Sequence, residues 1–519
     1  MSLVVQNPFL YRDHRWLVVD KPTGLSTHTP REGELGLAEW LELHHGLRVH
    51  ICSRLDKGTS GVLVLALTPE ASSLAEKIHR CNQARKTYDF ISDRESGSGT
   101  TWTCSRNLDG KACSTTFTTL RKGNGFTLFR AVISHGRRHQ IRRHAALSGV
   151  PILGDNEHGG SPFPRLCLHC SEVAWPEITQ KLAAGLPQSF QWLLDGQNRT
   201  LLETAVAFER RLGWLQSVSD AFRLVHRGEL SEIPCAIDLF GAWLCVSSLE
   251  ETTDAESLRA ELQPALDYLE KQFAVKGGII RTHRADPHHR ELFGDVCFWG
   301  EPSPPAYWVR EHDLLYEVSL NDNQHVGLFL DQRDSRRRLW QTANGKRVAN
   351  LFSFTCSFSA AAVLGGAETA FSIDAAAGCL DRGKRNFARN DLSEGGRGKF
   401  IREDVRKWLA RQKRKKHDNS ENFQPWDLIV CDPPVFASTG KGQAFVLEKA
   451  WPDLAKDIRA ILAENGAALF ANNHRSGNED FYAGELKKHF SKVTRQHPPF
   501  DFPEFSGTSP HVRIYWCEV

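Results

Sequence analysis

No stretch of this 519-residue chain offers the ~18 consecutive apolar residues that a membrane-spanning helix needs, so no membrane span is expected. The opening Met-Ser-Leu-Val-Val-Gln-Asn-Pro has neither the basic start nor the apolar stretch of a secretory leader. The 13 cysteines are scattered without framework spacing. That pattern argues against a disulfide scaffold and for reduced thiols in the cytoplasm. A strong charge of one sign is missing too. With a formal net charge of only +3, any basic surface that meets nucleic acid must be local. No repeat of ~20 to 50 residues runs along the chain, which sets repeat architectures aside.

What is present is ordinary globular composition, 40% hydrophobic and 24% charged, in a chain too long for one core. A multidomain α+β and α/β protein is expected. Residues 1–176 read as strand-rich, with short apolar runs such as Trp16–Val19, Val62–Ala66 and Phe126–Ile133 between Gly, Pro and Asn. Residues 177–219 show helical spacing from Leu182 through Phe208 and predict a helical connector. Residues 220–320 predict a small α/β domain with one amphipathic helix, Ala255 to Phe273. From 321 to 519, apolar runs at Val348–Phe352, Ala370–Ile373, Leu428–Cys431 and Ala467–Phe470 alternate with helical patterns. That alternation predicts a Rossmann-like, doubly wound sheet. The charged run Arg411–His417 reads as a solvated loop.

Three N-terminal segments carry chemistry: Ser53-Arg54-Leu55-Asp56-Lys57-Gly58-Thr59-Ser60-Gly61, Arg85-Lys86-Thr87-Tyr88, and Gly136-Arg137-Arg138-His139-Gln140-Ile141-Arg142. A carboxylate beside arginine favours its charged form, although Asp56 alone also fits a structural turn. His139 and His144 lack a third metal ligand, and Cys167 with Cys170 lacks a second cysteine pair, so no metal is expected. The arginines around His139 suit phosphate, which makes Arg137 and His139 candidate RNA contacts. Together with Val18-Val19-Asp20-Lys21-Pro22, Gly154-Asp155 and Arg165-Leu166-Cys167-Leu168-His169, these segments resemble the RluA family of pseudouridine synthases over residues 7–176. The resemblance implies Asp56 as the catalytic aspartate, Tyr88 as the residue stacked on the target uracil, Arg142 as the aspartate's ion-pair partner, and no cofactor. This chain carries Ser53 and His135 where that family usually has His and Thr.

In the C-terminal part, Ala349-Asn350-Leu351-Phe352-Ser353-Phe354-Thr355-Cys356 and Ser372-Ile373-Asp374 suggest a strand, a small-residue turn and an acid at the next strand's end. Such an acid can accept hydrogen bonds from ribose hydroxyls. Asp432-Pro433-Pro434 after a buried strand is a stiff turn at the sheet's edge. With Gly327-Leu328-Phe329-Leu330-Asp331-Gln332-Arg333-Asp334-Ser335-Arg336, they resemble the RlmI/RlmK-type class I methyltransferases of ribosomal RNA, from about residue 220 to the end. That resemblance implies S-adenosylmethionine as cofactor. Asp374 is expected at its ribose, Asp404 at the adenine, Gln332 and Phe354 in the cofactor site, and Asp432 facing the methylated base as a catalytic residue. Cys356 stands where the family usually has glycine, a position where a Cβ can crowd the cofactor. Asn472-Asn473-His474-Arg475 is closer to members that methylate guanine N7 than to those that methylate cytosine C5.

The reading that joins these parts is a cytoplasmic, bifunctional RNA-modifying enzyme acting on 23S rRNA, without a membrane or obligate protein partner. Its alternatives are cytosine C5 methylation, a tRNA substrate, or an RNA-binding assembly factor with an inactive methyltransferase half. Arg333, Arg336, Lys413, Arg414 and Asn472 complete the expected RNA contacts.

Overall fold

The computed structural model describes residues 7–519 apart from 98, 212, 250–253, 283–294, 322–324, 394–395, 419–420, 422, 438–443, 476 and 506–508. The N-terminal part forms a nine-stranded mixed sheet from β1 (Phe9–Arg12), β2 (Trp16–Lys21), β3 (Ser60–Ala66), β4 (Arg85–Ser92), β5 (Thr101–Cys104), β6 (Thr115–Gly123), β7 (Phe126–Ile133), β8 (Leu168–Ala174) and β9 (Leu182–Ala183). Its order is β1-β2-β3-β8-β4-β7-β6-β5, with β9 paired to β8. Strand β3 is buried at every position, which is why its sequence is a continuous apolar run rather than an alternation. Helices α1 (Leu37–His45), α2 (Pro69–Arg80) and α3 (Gln140–Leu147) belong to this part.

The predicted connector is divided between its neighbours. Leu182, read as helical, lies in β9. Helix α4 (Gln188–Asp195) gives Phe190, Leu193 and Leu194 to the N-terminal core. Helix α5 (Arg199–Glu209) gives Ala207 and Phe208 to the core of the next sheet. That sheet holds β10 (Ala221–Val225), β11 (Cys235–Phe240), β12 (Trp243–Ser248), β13 (Gly277–Arg281) and β14 (Val296–Gly300), covered by α6 (Ala255–Phe273). Helix α6 has the predicted bounds. Asp254 caps its first turn by accepting from Glu256 N and Ser257 N. Its buried Leu258, Leu262, Leu266 and Leu269 recur every three to four residues.

A hairpin, β15 (Tyr307–Glu311) and β16 (Leu314–Val318), leads to α7 (Arg333–Thr342) and the last sheet. This sheet has the order β19 (Gly398–Arg402), β18 (Thr369–Asp374), β17 (Arg347–Leu351), β20 (Trp426–Cys431), β23 (Leu462–Asn472), β25 (Arg513–Glu518), β24 (Lys492–Gln496), while β21 (Phe436–Ala437) and β22 (Phe445–Val446) pair as a separate ribbon. Parallel strands are β17, β18, β19, β20 and β23. Of the last two strands, β24 and β25, β25 inserts antiparallel beside β23. Between the parallel strands run α8 (Ser357–Leu364), α9 (Ala377–Arg389), α10 (Val405–His417) and α11 (Leu447–Ile461), and α12 (Glu479–Lys487) precedes β24. The run 411–417 is therefore the end of α10 and not a loop. Trp408, Leu409 and Gln412 are buried at helical spacing and hold it there.

Helix α1 of the N-terminal part is docked on α7, which precedes the last sheet. Leu43 O, in α1, accepts from Arg337 Nε at 3.0 Å and Gln341 Nε2 at 3.1 Å, both in α7. His44 Nε2 lies 3.0 Å from Asp334 Oδ1. Among the described residues, no helix is long and apolar enough to cross a membrane.

Candidate active sites

Asp56 stands on a turn just before β3, and the segment after β2 cages that turn. Lys21 is fully buried and donates from Nζ to the carbonyls of Pro22 (2.9 Å), Leu25 (2.6 Å) and Lys57 (3.4 Å). Burial pulls its ammonium down to about 7, with Asp56 and Asp20 opposing. Thr27 Oγ1 bonds Leu55 O at 3.0 Å, Thr23 Oγ1 bonds Gly58 O at 2.8 Å, and Gly24 N bonds Lys57 O at 2.8 Å. The carboxylate is thereby presented on a fixed backbone.

Its partner comes from α3. Arg142 Nη1 reaches Asp56 Oδ2 at 3.3 Å. The same guanidinium holds Asp155 by two bonds, 2.8 and 2.6 Å, and Glu157 Oε2 at 2.6 Å. Burial opposes the arginine's charge, but Asp155, Glu157 and Asp56 outweigh it and push its pKa up. Tyr88, in β4, is buried. Burial and the neighbouring Cys170 thiol hold its phenol well above the ordinary range, so it is a neutral ring. Asp56, Tyr88, His139 and Arg142 share a cleft of about 540 Å³ with Lys86 and Ser53, a size that suits a small ligand or a single base. Arg54, Arg80, Arg137 and Arg138 line it and are exposed, as phosphate contacts must be.

His139 and His144 do not form a pair. His144 is turned into the core, where it meets Thr115 Oγ1 at 2.8 Å and Arg106 O at 2.9 Å. His139, held at φ 52° at the start of α3, lies 4.0 Å from Asp56. Cys167 and Cys170 are both buried free thiols.

The second site lies at the carboxyl ends of the parallel strands, where the strand order turns back. The loop after β17 is left-handed at Phe352, Phe354 and Cys356, an arrangement that costs L-residues roughly 1–2 kcal/mol each. Asp374 Oδ2, at the end of β18, holds the loop by accepting from Phe354 N at 2.9 Å, while its Oδ1 accepts from Ala376 N at 2.8 Å. Burial raises the Asp374 pKa against these two bonds. Thr355 Oγ1 ties the loop to Gly327 O at 2.7 Å, and the Phe354 ring packs on Phe329 at 5.2 Å. Asp404 follows β19 and caps α10, accepting from Lys407 N at 3.2 Å. Asp432 follows β20. Burial and the facing charge of Asp331 push it up to about 7.

Cys356 does not crowd the crevice. Its thiol is fully buried and packs on α9 at Gly383, where a Cβ would overlap it. The Cβ therefore points away from the crevice, into space that a second glycine leaves open. The residues present fit S-adenosylmethionine. Each Asp374 oxygen keeps a lone pair for a ribose hydroxyl. Among the described residues, Gln332 Oε1 is buried without a partner and able to accept from an amino group.

Two expected RNA contacts are corrected outright. Arg333 and Arg336 are buried. Arg333 pairs with Asp501 at 2.9 Å and Arg336 with Glu311 at 2.7 and 2.6 Å, so neither can meet a phosphate. Asn472 is also buried, at the end of β23, with its Nδ2 unpartnered among the described residues, so it is not a surface contact. Lys413 is engaged by Asp457, while Arg414 is exposed. Sequence reasoning missed Glu157 and His158, which meet His139 beside Asp56. The quoted Gly154-Asp155 pair already hinted at the arginine's anchor.

The family model for S-adenosylmethionine-dependent methyltransferases matches residues 237–512, more than half of the chain. The chain belongs to that family. A second family model, RNA pseudouridylate synthase, matches residues 15–147, so the methyltransferase is fused to a pseudouridine synthase domain. Among relatives, a ribosomal RNA large subunit methyltransferase K/L of Alteromonas mediterranea is 30% identical over 57% of this chain and 40% of its own length. One of the same name from Colwellia psychrerythraea is 28% identical over 54% and 39%. The chain thus spans about two fifths of the length of these relatives. A solved methyltransferase complexed with SAH is 23% identical, covering 66% of this chain and 86% of its own, with a TM-score of 0.53. That likeness shows the methyltransferase fold.

Proposed function

We propose that this protein modifies large-subunit (23S) ribosomal RNA twice, isomerising a uridine through its N-terminal half and methylating a nearby base through its C-terminal half. The observation that carries the proposal is that each half keeps a chemistry-bearing carboxylate in a built setting, Asp56 in a cleft beside Arg142 and Asp374 at the end of β18 gripping the Phe354 loop. The names of the relatives point to ribosomal RNA as the substrate.

In the first reaction the uridine leaves its stack and enters the Asp56 cleft, where Tyr88 offers a face for it. Asp56, oriented by Arg142, acts on the nucleoside as the N1–C1′ bond breaks. Uracil turns within the cleft, C5 bonds C1′, and the proton lost from C5 is balanced by one taken up at N1, so the product is an isomer of uridine. Arg137 and the neighbouring arginines hold the flanking phosphates.

In the second, S-adenosylmethionine supplies the methyl group when bound. Asp374 would hold its ribose, Asp404 would stand at the adenine, and Gln332 and the Phe354 loop would complete the site. Guanine N7 is the preferred acceptor. Its lone pair is already nucleophilic, so positioning suffices. Asp432 as carboxylate can accept from guanine N1–H and N2–H and orient the base. Cytosine C5 chemistry needs a thiolate, and the thiols near the site resist ionisation. Burial pushes Cys356 up to about 12 and Cys431 well above the ordinary range. The inactive-methyltransferase reading rested on Cys356 and loses that support with its inward orientation. Titration of the purified chain with labelled S-adenosylmethionine tests this half. Saturable binding that weakens in Asp374→Ala is expected, and no measurable binding would sink the bifunctional reading.

A further inference from the structure

His139, Glu157 and His158 stand beside the Asp56–Arg142 pair, and their ligand atoms all lie within 4.8 Å of one another. His139 Nδ1 is 3.2 Å from His158 Nε2 and 3.4 Å from Glu157 Oε2. His158 Nε2 is 3.9 Å from that same oxygen. Two ligands on a tetrahedral zinc ion, each at ~2.0–2.1 Å, stand about 3.4 Å apart. The three atoms therefore already mark out one face of such a tetrahedron. The scaffold behind them is fixed. His139 opens α3, and the turn carrying Glu157 and His158 is closed by His158 N and Gly160 N on Asp155 O, at 3.2 and 2.9 Å.

We propose that His139, Glu157 and His158 bind a zinc-type divalent ion that silences the pseudouridine half. Two imidazoles and a carboxylate are a donor set that zinc accepts, with a fourth position left to water. A metal on His139 Nδ1 leaves the ring proton on Nε2, the atom 4.0 Å from Asp56 Oδ2. A ligating histidine characteristically gives its other N–H to a carboxylate, and ligation would turn that proton toward Asp56, now 4.0 Å away. The same ligation draws on Glu157 Oε2, which Arg142 Nη2 now holds at 2.6 Å. Arg142 keeps Asp155 but loses one of its anchors. Both effects fall on the Asp56–Arg142 pair and leave the methyltransferase crevice alone.

The metal-binding arm stands by itself; the silencing arm rests on the pseudouridine synthase reading. Cobalt(II) added to the metal-free full chain should give the intense visible absorption of a tetrahedral ion, displaced by zinc and lost in His158→Ala. Zinc should slow pseudouridylation by roughly tenfold or more in the parent protein, the range that outer-shell partners command. His158→Ala should keep its basal pseudouridylation and ignore zinc, and methylation by either protein should be unchanged, which also shows that the variant folds. An absent tetrahedral band, or one that persists in His158→Ala, overturns the site. A band accompanied by unchanged pseudouridylation overturns the switch. A chain that forms no pseudouridine at all, with the cobalt band intact, fails the functional reading and not the site.

Discussion

Asp56 depends on a chain of charges that begins at a buried aspartate behind it. Asp155 is buried and grips Arg142 by two bonds, and Arg142 in turn reaches Asp56. Hydrogen bonds to charged groups contribute ~1.5–3 kcal/mol, so Asp155→Asn should slow pseudouridylation by roughly 10- to 100-fold. Quantifying pseudouridine in RNA treated with each protein checks this, and methylation by the same sample should stay at the parent level. At Asp432 the expected signature is pH dependence. With its carboxyl pushed up to about 7, it is protonated below that pH and can no longer accept from guanine. Methylation should therefore rise as pH increases through 7. Asp432→Asn should be slow and flat over the same range, and a variant that kept the rise would place the titration elsewhere.

Among the elements, those whose partners are local were legible in the sequence, and those whose partners are distant were not. Helix α6 was readable to its ends because its cap and apolar stripe are written within nineteen residues. The arginines of α7 looked like a basic patch because Asp501 lies 168 residues from Arg333, a distance at which no local pattern operates. The basic end of α10 reads as a loop in sequence because its charge masks the helical spacing of Trp408, Leu409 and Gln412. For the sites, the ordered motifs around Asp56 and Asp374 were legible, whereas Glu157, His158 and Gly383 act only through space. The Cys356–Gly383 contact offers a direct test. Gly383→Ala should overpack α9 against the loop and cost about 1–3 kcal/mol, seen as a lower melting temperature and weaker S-adenosylmethionine binding. Adding Cys356→Gly should recover much of both. Additive losses in that double-mutant cycle would contradict the contact.

At the scale of the whole molecule, the halves meet through a polar contact that acid should open. His44, in α1, bonds Asp334 of α7 through Nε2 and faces His312 Nε2 through Nδ1, both at 3.0 Å, with the two rings stacked. Burial, then the charges of His44 and Arg337, lower His312 to about 2. Its ordinary value is 6.5, so the folded protein resists a proton that the unfolded chain accepts. Stability is thus retained above pH 6.5 and lost as pH falls below it, by up to about 1.4 kcal/mol per pH unit for this one group. Melting temperatures from pH 7 to 5 should fall more steeply in the parent than in His312→Asn. Such docking also holds the two clefts in one frame, and a shared substrate gains from that only if both target nucleotides can be reached together.

That two independent chemistries reside on one chain is tested most directly by mapping pseudouridine and methyl marks on ribosomal RNA from cells lacking the protein, complemented separately with Asp56→Asn and Asp432→Ala. Asp56→Asn should restore the methyl mark without the pseudouridine, and Asp432→Ala the pseudouridine without the methyl mark. Restoration of pseudouridine by Asp56→Asn, or the loss of both marks with either variant, would contradict the account.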